Sequence, residues 1–293
     1  MFHPAPATET AQLSQGAIAF ERSGDGPPLL LLHGYPQTRA MWRPLLPALS
    51  DRFTVICPDL RGYGTSWKPE TMEEMSFRAM GVDMLELMSE LGHDRFHLAG
   101  HDRGARTAHR MALDAEERIA SLTLMDIVPT HHLLDTVTQA TARAYYHWFF
   151  LAQPAPFPET LIGHDPDLYF ERCLLGFGKA RLDEFDADLL AEYRAAWRDP
   201  GMIRASCNDY RAAIDVDFAL DAADLDRQVR CPSLVLFGED GAMAQAMDVP
   251  ATWAPRLAEM RAEAVPGGHF FPDQFPKATA DALLRFLGAL PPL

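Results

Sequence analysis

FHLAGHDRGARTAHR, residues 96–110, reads as a short apolar strand, a sharp bend at Gly100-His101-Asp102-Arg103-Gly104, and a helix. A G-x-Nuc-x-G bend between strand and helix thrusts its central side chain out at the helix N-terminus. That side chain is the carboxylate of Asp102, where a serine is more usual. A serine would attack carbonyls. A carboxylate suits displacement at saturated carbon and leaves an alkyl ester on the protein. Water must then hydrolyse that ester, a step that needs a general base and donors for the developing oxyanion. The plainer reading of Asp102 is a helix N-cap, a role in which Asp is favoured. The other parts the chemistry requires argue against it.

Similar short apolar runs occur at 28–32, 53–57, 122–125 and 234–237, and each ends in turn residues. Helical patterns over 77–91, 103–114 and 279–290 lie between or after them. That alternation predicts a parallel sheet covered by helices. From about residue 129 to 230 the strand-like runs stop, and aromatic, Pro-interrupted helical stretches replace them. The expected division is a sheet core over 1–128, a helical cap over 129–230, and the rest of the core over 231–293. Such a cap would sit over the C-terminal strand ends, where open α/β sheets bind ligands.

A base and an oxyanion hole are both visible. His269 lies in Pro266-Gly267-Gly268-His269-Phe270, after a strand-like run at 260–265. His33-Gly34-Tyr35-Pro36 follows an early strand, so the backbone N–H groups of Tyr35 and Arg103 can form the hole. His33 itself, and the turn at Asp59-Leu60-Arg61-Gly62-Tyr63-Gly64, read as structural. The base needs an orienting acid, and Asp126 and Asp240 both stand at strand ends. Spacing does not choose between them. Arg103 and Arg106 are one helical turn apart. Cations in a first turn oppose the helix dipole unless an anion sits among them, and a carboxylate is the natural guest. The alternative is pairing with acids of the protein itself. Arg110 continues the row as a solvated face.

The chain has 41 acidic and 26 basic residues among 293, a formal charge of -15. Nucleic acid and anionic membranes are not expected partners of such a surface, and an anion site must be built locally from Arg or Lys. Cys57, Cys173, Cys207 and Cys231 are scattered and read as packing thiols, not a zinc site or disulfide framework. MFHPAPATETAQ lacks the basic-then-apolar pattern of a secretory signal, and no apolar run approaches membrane-spanning length. A soluble, cytoplasmic protein is expected.

HGYPQTRAMW (33–42), LAGHDRGARTAHRMALD (98–114), LMDIVPT (124–130), YYHWFFLAQPAPFPE (145–159), NDYRA (208–212) and PGGHFFPDQFP (266–276) together resemble the fluoroacetate (haloacetate) dehalogenase family. The likeness covers most of the chain, and HDRGxR with YHW is its most specific part. It implies an α/β-hydrolase fold, a mostly parallel sheet flanked by helices with an inserted helical cap. It also implies Asp102 as nucleophile, His269 as base and Asp126 as the acid. Arg103 and Arg106 would bind the substrate carboxylate, while His147, Trp148 and Tyr210 would cradle the halide. The substrate would be a small haloacid. Neither metal nor organic cofactor is implied, and homodimers are. Tyr35 departs from the usual Phe, and Phe177 stands where relatives often carry Trp. An epoxide hydrolase would share the fold and the Asp nucleophile, with Tyr145 or Tyr146 and Tyr210 as its acids. It would have no use for the Arg pair. A catalytically silent receptor for a small acid would lack a member of the triad.

Overall fold

The structure, a computed structural model, describes residues 6–176 and 180–293; Phe177 lies outside the described residues. Eight strands form one sheet: β1 (Thr8–Gln12), β2 (Ala17–Ser23), β3 (Pro28–Leu32), β4 (Thr54–Pro58), β5 (Phe96–His101), β6 (Ile119–Met125), β7 (Ser233–Gly238) and β8 (Met260–Val265). Their order is β1-β2-β4-β3-β5-β6-β7-β8. β1 pairs antiparallel with β2 and β2 antiparallel with β4; every other pairing is parallel. The family expectation of a mostly parallel sheet flanked by helices holds.

Physical position explains which strands were legible. β5 and β6 are buried at every residue, and Leu29, Leu30, Leu31 and Leu32 of β3 are 0–1% exposed. Strands covered on both faces read as unbroken apolar runs. Each of those leucines contributes about 2 kcal/mol relative to exposure. β1 and β2 were not predicted. They form an antiparallel hairpin at the sheet edge, and TETAQ in β1 alternates exposed and half-buried residues. Its polar composition carries no strong strand signal.

Helix α1 (Phe77–Glu90) ends one residue short of the expected span, and α2 (Arg103–Asp114) matches it. The last helix, Pro276–Leu287, starts and ends three residues earlier than 279–290, with Pro276 in its first turn. Between β6 and β7 the described chain is helical. Its main elements are α3 (Tyr146–Leu151), α4 (Phe157–His164), α5 (Pro166–Leu175), α6 (Ala187–Trp197) and α7 (Pro200–Ala212), which runs into a π-helix at Ala213–Asp217. None of the helices among the described residues is long and apolar enough to cross a membrane.

The strand order reverses at β3: the chain steps outward to β4, then returns to place β5 on the other side. Ligand crevices open at such switch points, beyond the C-terminal strand ends. Tyr35 follows β3 there and Asp102 follows β5.

Candidate active site

Asp102 sits at φ 46°, ψ −113°, a conformation that L-residues rarely adopt. The flanking glycines make the bend possible by closeness. A Cβ on Gly104 would lie 2.3 Å from the Leu32 carbonyl oxygen, and one on Gly100 would lie 2.4 Å from that of Gly104. The helix therefore abuts β3 and β5, and the strain falls on Asp102. Its side chain accepts no capping bond from α2. Instead, Oδ2 accepts the Tyr35 N–H at 3.0 Å. The N-cap reading is thus overturned. Burial opposes the carboxylate's charge, but His269, Arg103, His101 and Arg106 outweigh it and hold the group at about 2.

His269 Nδ1 donates to Asp126 Oδ2 at 2.7 Å, and Asp126 Oδ1 accepts the Gly238 N–H at 2.9 Å. Asp126 also has positive φ, 51°. Asp240 is exposed, and its N–H donates to Gly267 O at 2.9 Å. Of the two acids that spacing left open, Asp126 is the one bonded to His269. Burial alone would lower the His269 pKa, yet the hydrogen bond and charge of Asp126, with the charge of Asp102, raise it above its ordinary value. His101, within the bend, donates from Nε2 to the His269 carbonyl at 2.7 Å. Burial pushes His101 down to about 4, so it stays neutral. Sequence reasoning gave His101 no part. Its place beside Asp102 was the available hint.

The two guanidiniums differ. Arg103 is wholly buried and forks onto Asp209: Nε donates to Oδ2 at 3.0 Å and Nη2 donates to Oδ1. Burial favours the neutral form, but the Asp209 charge prevails and raises the Arg103 pKa. Only Nη1 lacks a partner. Arg106 donates through Nη1 to Val128 O and Thr130 Oγ1, both at 3.0 Å, while its Nε is buried without a partner. Burial lowers its pKa to about 10, which keeps it a cation at neutral pH. The pairing alternative thus holds for Arg103, with a buried acid in place of a surface one. For Arg110 the structure corrects the expectation of a solvated face. It is 5% exposed and bridges Asp114 and Asp224 at 2.5 and 2.6 Å.

Aromatic side chains close the site. The Trp148 ring lies 4.9 Å from the Arg103 guanidinium carbon and 4.7 Å from that of Arg106. Tyr210 stands edge-on to Tyr35, Trp148 and His147 at 5.1, 5.3 and 5.6 Å, and its buried hydroxyl has no partner. Burial lowers His147 to about 3, which leaves a neutral imidazole that can donate one proton. The Tyr35 hydroxyl, absent from the expected Phe, lies 3.9 Å from Cys173 Sγ in α5. Tyr145 is part-buried beside His147 at 5.8 Å, whereas Tyr146 reaches 36% exposure. His33 is buried, accepts the Leu60 N–H on Nε2 and donates to Gly34 O, and Asp59 accepts the Arg39 and Thr65 N–H groups. Both residues hold loops, as expected. The four cysteines are free thiols. No cluster of His, Cys, Asp or Glu able to hold a metal occurs among the described residues.

A family model described as alpha/beta hydrolase fold matches residues 27–276. Fluoroacetate dehalogenase of Burkholderia sp. is 53% identical over 267 residues, 90% of this chain and 88% of that protein. Soluble epoxide hydrolase of Corynebacterium sp. (strain C12) is 33% identical and covers 96% of each chain. An alpha/beta hydrolase crystal structure from Nostoc sp. PCC 7120 is 44% identical, with TM-score 0.94 over 97% of this chain and 98% of that one. With its sheet order, its aspartate bend and this degree of identity, the chain belongs to the fluoroacetate dehalogenase family of the α/β-hydrolase fold.

Proposed function

We propose that the protein hydrolyses small haloacids, fluoroacetate or another haloacetate, to glycolate and halide. The observation that carries the reading is a cluster of unused donors. Arg103 Nη1, Arg106 Nε and the Tyr210 hydroxyl are all buried without partners around the Trp148 ring, and both guanidiniums act on the Asp102 charge. Buried donors cost about 1–3 kcal/mol each when unpaired, so a ligand that satisfies them gains that much. A carboxylate suits the guanidiniums and a departing halide suits the hydroxyl.

In the proposed reaction, Arg103 and Arg106 hold the substrate carboxylate so that the α-carbon faces Asp102. Oδ1 attacks from behind the carbon–halogen bond, and the electron pair of that bond leaves with the halide. Hydrogen bonds from His147, Trp148 and Tyr210 strengthen as its charge grows, which matters most for fluoride, a poor leaving group. The ester carbonyl is then the former Oδ2, already against the Tyr35 N–H; the Arg103 N–H would complete the oxyanion hole. His269, oriented by Asp126, takes a proton from water as the water attacks this carbonyl. The ester bond breaks, the proton held by His269 passes to the departing alkoxide, glycolate leaves with Oδ1, and Asp102 gains an oxygen from water. Residues 129–230 act as the cap over the core formed by 1–128 and 231–293. On the same resemblance the enzyme works without metal or organic cofactor, as a cytoplasmic homodimer.

The test is halide release from fluoro-, chloro- and bromoacetate, with a single turnover in heavy-oxygen water. First-turnover glycolate should carry no solvent oxygen, and the label should appear in Asp102. Solvent label in that first glycolate would overturn the mechanism. A second reading, epoxide hydrolysis, is favoured by the Corynebacterium relative and by Tyr145 and the unpartnered Tyr210 hydroxyl, whose rings both flank His147. Opening of styrene oxide without haloacetate turnover would establish it in place of the first.

A further inference from the structure

Of the groups assigned to the chemistry, the Asp209 side chain hydrogen-bonds to Arg103, and it is wholly buried beside the site. It accepts Arg103 Nε at 3.0 Å, Arg103 Nη2, and the Tyr63 hydroxyl at 2.5 Å. Its own backbone carbonyl accepts Arg103 Nη2 as well, at 3.0 Å. The guanidinium carbon is further enclosed by the rings of Tyr210, Phe77 and Trp148 at 4.2, 4.5 and 4.9 Å. Arg103 therefore has one orientation open to it, with Nη1 as its remaining donor.

The hydrogen bonds of Arg106 go to neutral groups, the Val128 carbonyl and the Thr130 hydroxyl, and the carboxylate that acts on its charge is the nucleophile candidate Asp102. Of two adjacent cations, one is neutralised by a dedicated carboxylate and the other is not. Charge attracts an anion over distance, whereas a fixed donor selects its orientation at contact. Asp209 is also the residue before Tyr210 on α7, so one turn of the insertion both pins Arg103 and delivers the unpartnered Tyr210 hydroxyl. Just beyond, the π-helix places Asp217 to accept the Phe77 N–H at 3.1 and 3.2 Å, which fixes the ring that lies against Arg103. π-Segments of this kind often accompany functional sites.

We propose that Asp209 is a positioning residue that neutralises and orients Arg103, so that Arg106 captures the substrate carboxylate by charge and Arg103 aims it through Nη1. This inference rests on the haloacid reading. Its consequence is a split between binding and turnover. Asp209→Asn removes the counter-charge and loosens the fork, so it should harm alignment while leaving the attraction for an anion intact or stronger. Arg106→Gln should do the reverse.

The experiment measures acetate binding by calorimetry and chloroacetate turnover by chloride release, on the full-length wild type and the two variants, with Tyr63→Phe as a milder change at the same carboxylate. Arg106→Gln should weaken acetate binding about 10-fold or more. Asp209→Asn should bind acetate at least as tightly as the wild type, with kcat lower by about 10- to 100-fold. Tyr63→Phe should lower kcat about threefold and leave acetate binding unchanged. Should Asp209→Asn not fold, Tyr63→Phe alone decides: an unaltered kcat or weakened acetate binding overturns the inference. So does an Asp209→Asn protein whose acetate affinity falls as far as that of Arg106→Gln, or whose kcat matches the wild type. A wild type that binds acetate but never releases chloride would remove the haloacid reading, while the binding comparison would still judge Asp209.

Discussion

His269 Nδ1 lies 2.7 Å from Asp126 Oδ2, and the other oxygen of that carboxylate is tied to the Gly238 amide at 2.9 Å. Both residues occupy loops at strand ends, yet neither the ring nor the acid is free to turn. The bond holds the proton on Nδ1 and leaves Nε2 as the ring's acceptor, the state a general base requires.

Asp126→Asn should therefore keep the fold and lose the tautomer. An amide can donate to the ring where the carboxylate only accepted, which favours the unproductive form. Haloacetate turnover should fall roughly 10³- to 10⁴-fold, the scale seen when an orienting acid is replaced in a serine triad. Steady-state kcat, with thermal unfolding as the control on structure, checks this.

The pH profile follows from the signs of two shifts. Asp102 is held down at about 2, so it remains an anion throughout the usual working range. His269 is raised, and its basic form is lost as pH falls through that elevated value. Alkylation of Asp102 does not need a neutral imidazole; hydrolysis of the ester does. Esterification also deletes the Asp102 charge that helps raise His269, so the limb governing hydrolysis lies below that of the free enzyme. On the acidic side, rapid-quench measurement should show a burst of roughly one halide per site followed by slow turnover. Linear release with no burst would contradict this order of steps.

Trp148→Phe should separate the halides. A phenyl ring can still lie against Arg103 and Arg106, but the indole N–H is lost. Fluoroacetate turnover should drop roughly 10- to 100-fold, because fluoride depends most on donors at the leaving group. Bromoacetate should be affected far less. Halide release from both substrates on the same variant provides the comparison.

Asp273 sets a pH dependence of stability rather than of catalysis. It is buried between Gln37, which donates to its Oδ2, and Tyr193, which donates to its Oδ1 at 3.1 Å. Burial pushes its pKa up to about 7. A raised carboxyl favours folding fully only below its unfolded value, and that contribution is lost as pH rises toward 7. Asp273→Asn removes the effect. The stability of the variant relative to wild type should improve by about 2 kcal/mol from pH 5 to pH 8. Denaturant unfolding at the two pH values measures it.

Much of the molecule was readable from local pattern. The leucines of β3 and the apolar runs of β5 and β6 announced a doubly covered sheet, because burial on both faces leaves no polar alternation. Glycines around Asp102 announced the bend, because only they permit Gly100 and Gly104 to approach neighbouring backbone so closely. Asp102, His269, Arg103 and Arg106 were recognisable as types of group the chemistry needs. What pattern could not supply was partnership between distant segments. Asp126 and Asp240 looked alike along the chain, and only folding brought one of them to His269 and left the other exposed. Arg110 looked like a solvated face, and nothing along the chain announced a buried partner for Arg103; Asp224 and Asp209 reach them from more than a hundred residues away. A side chain's chemistry belongs to its own residue, but its charge state, its orientation and its free donors depend on whatever is packed against it.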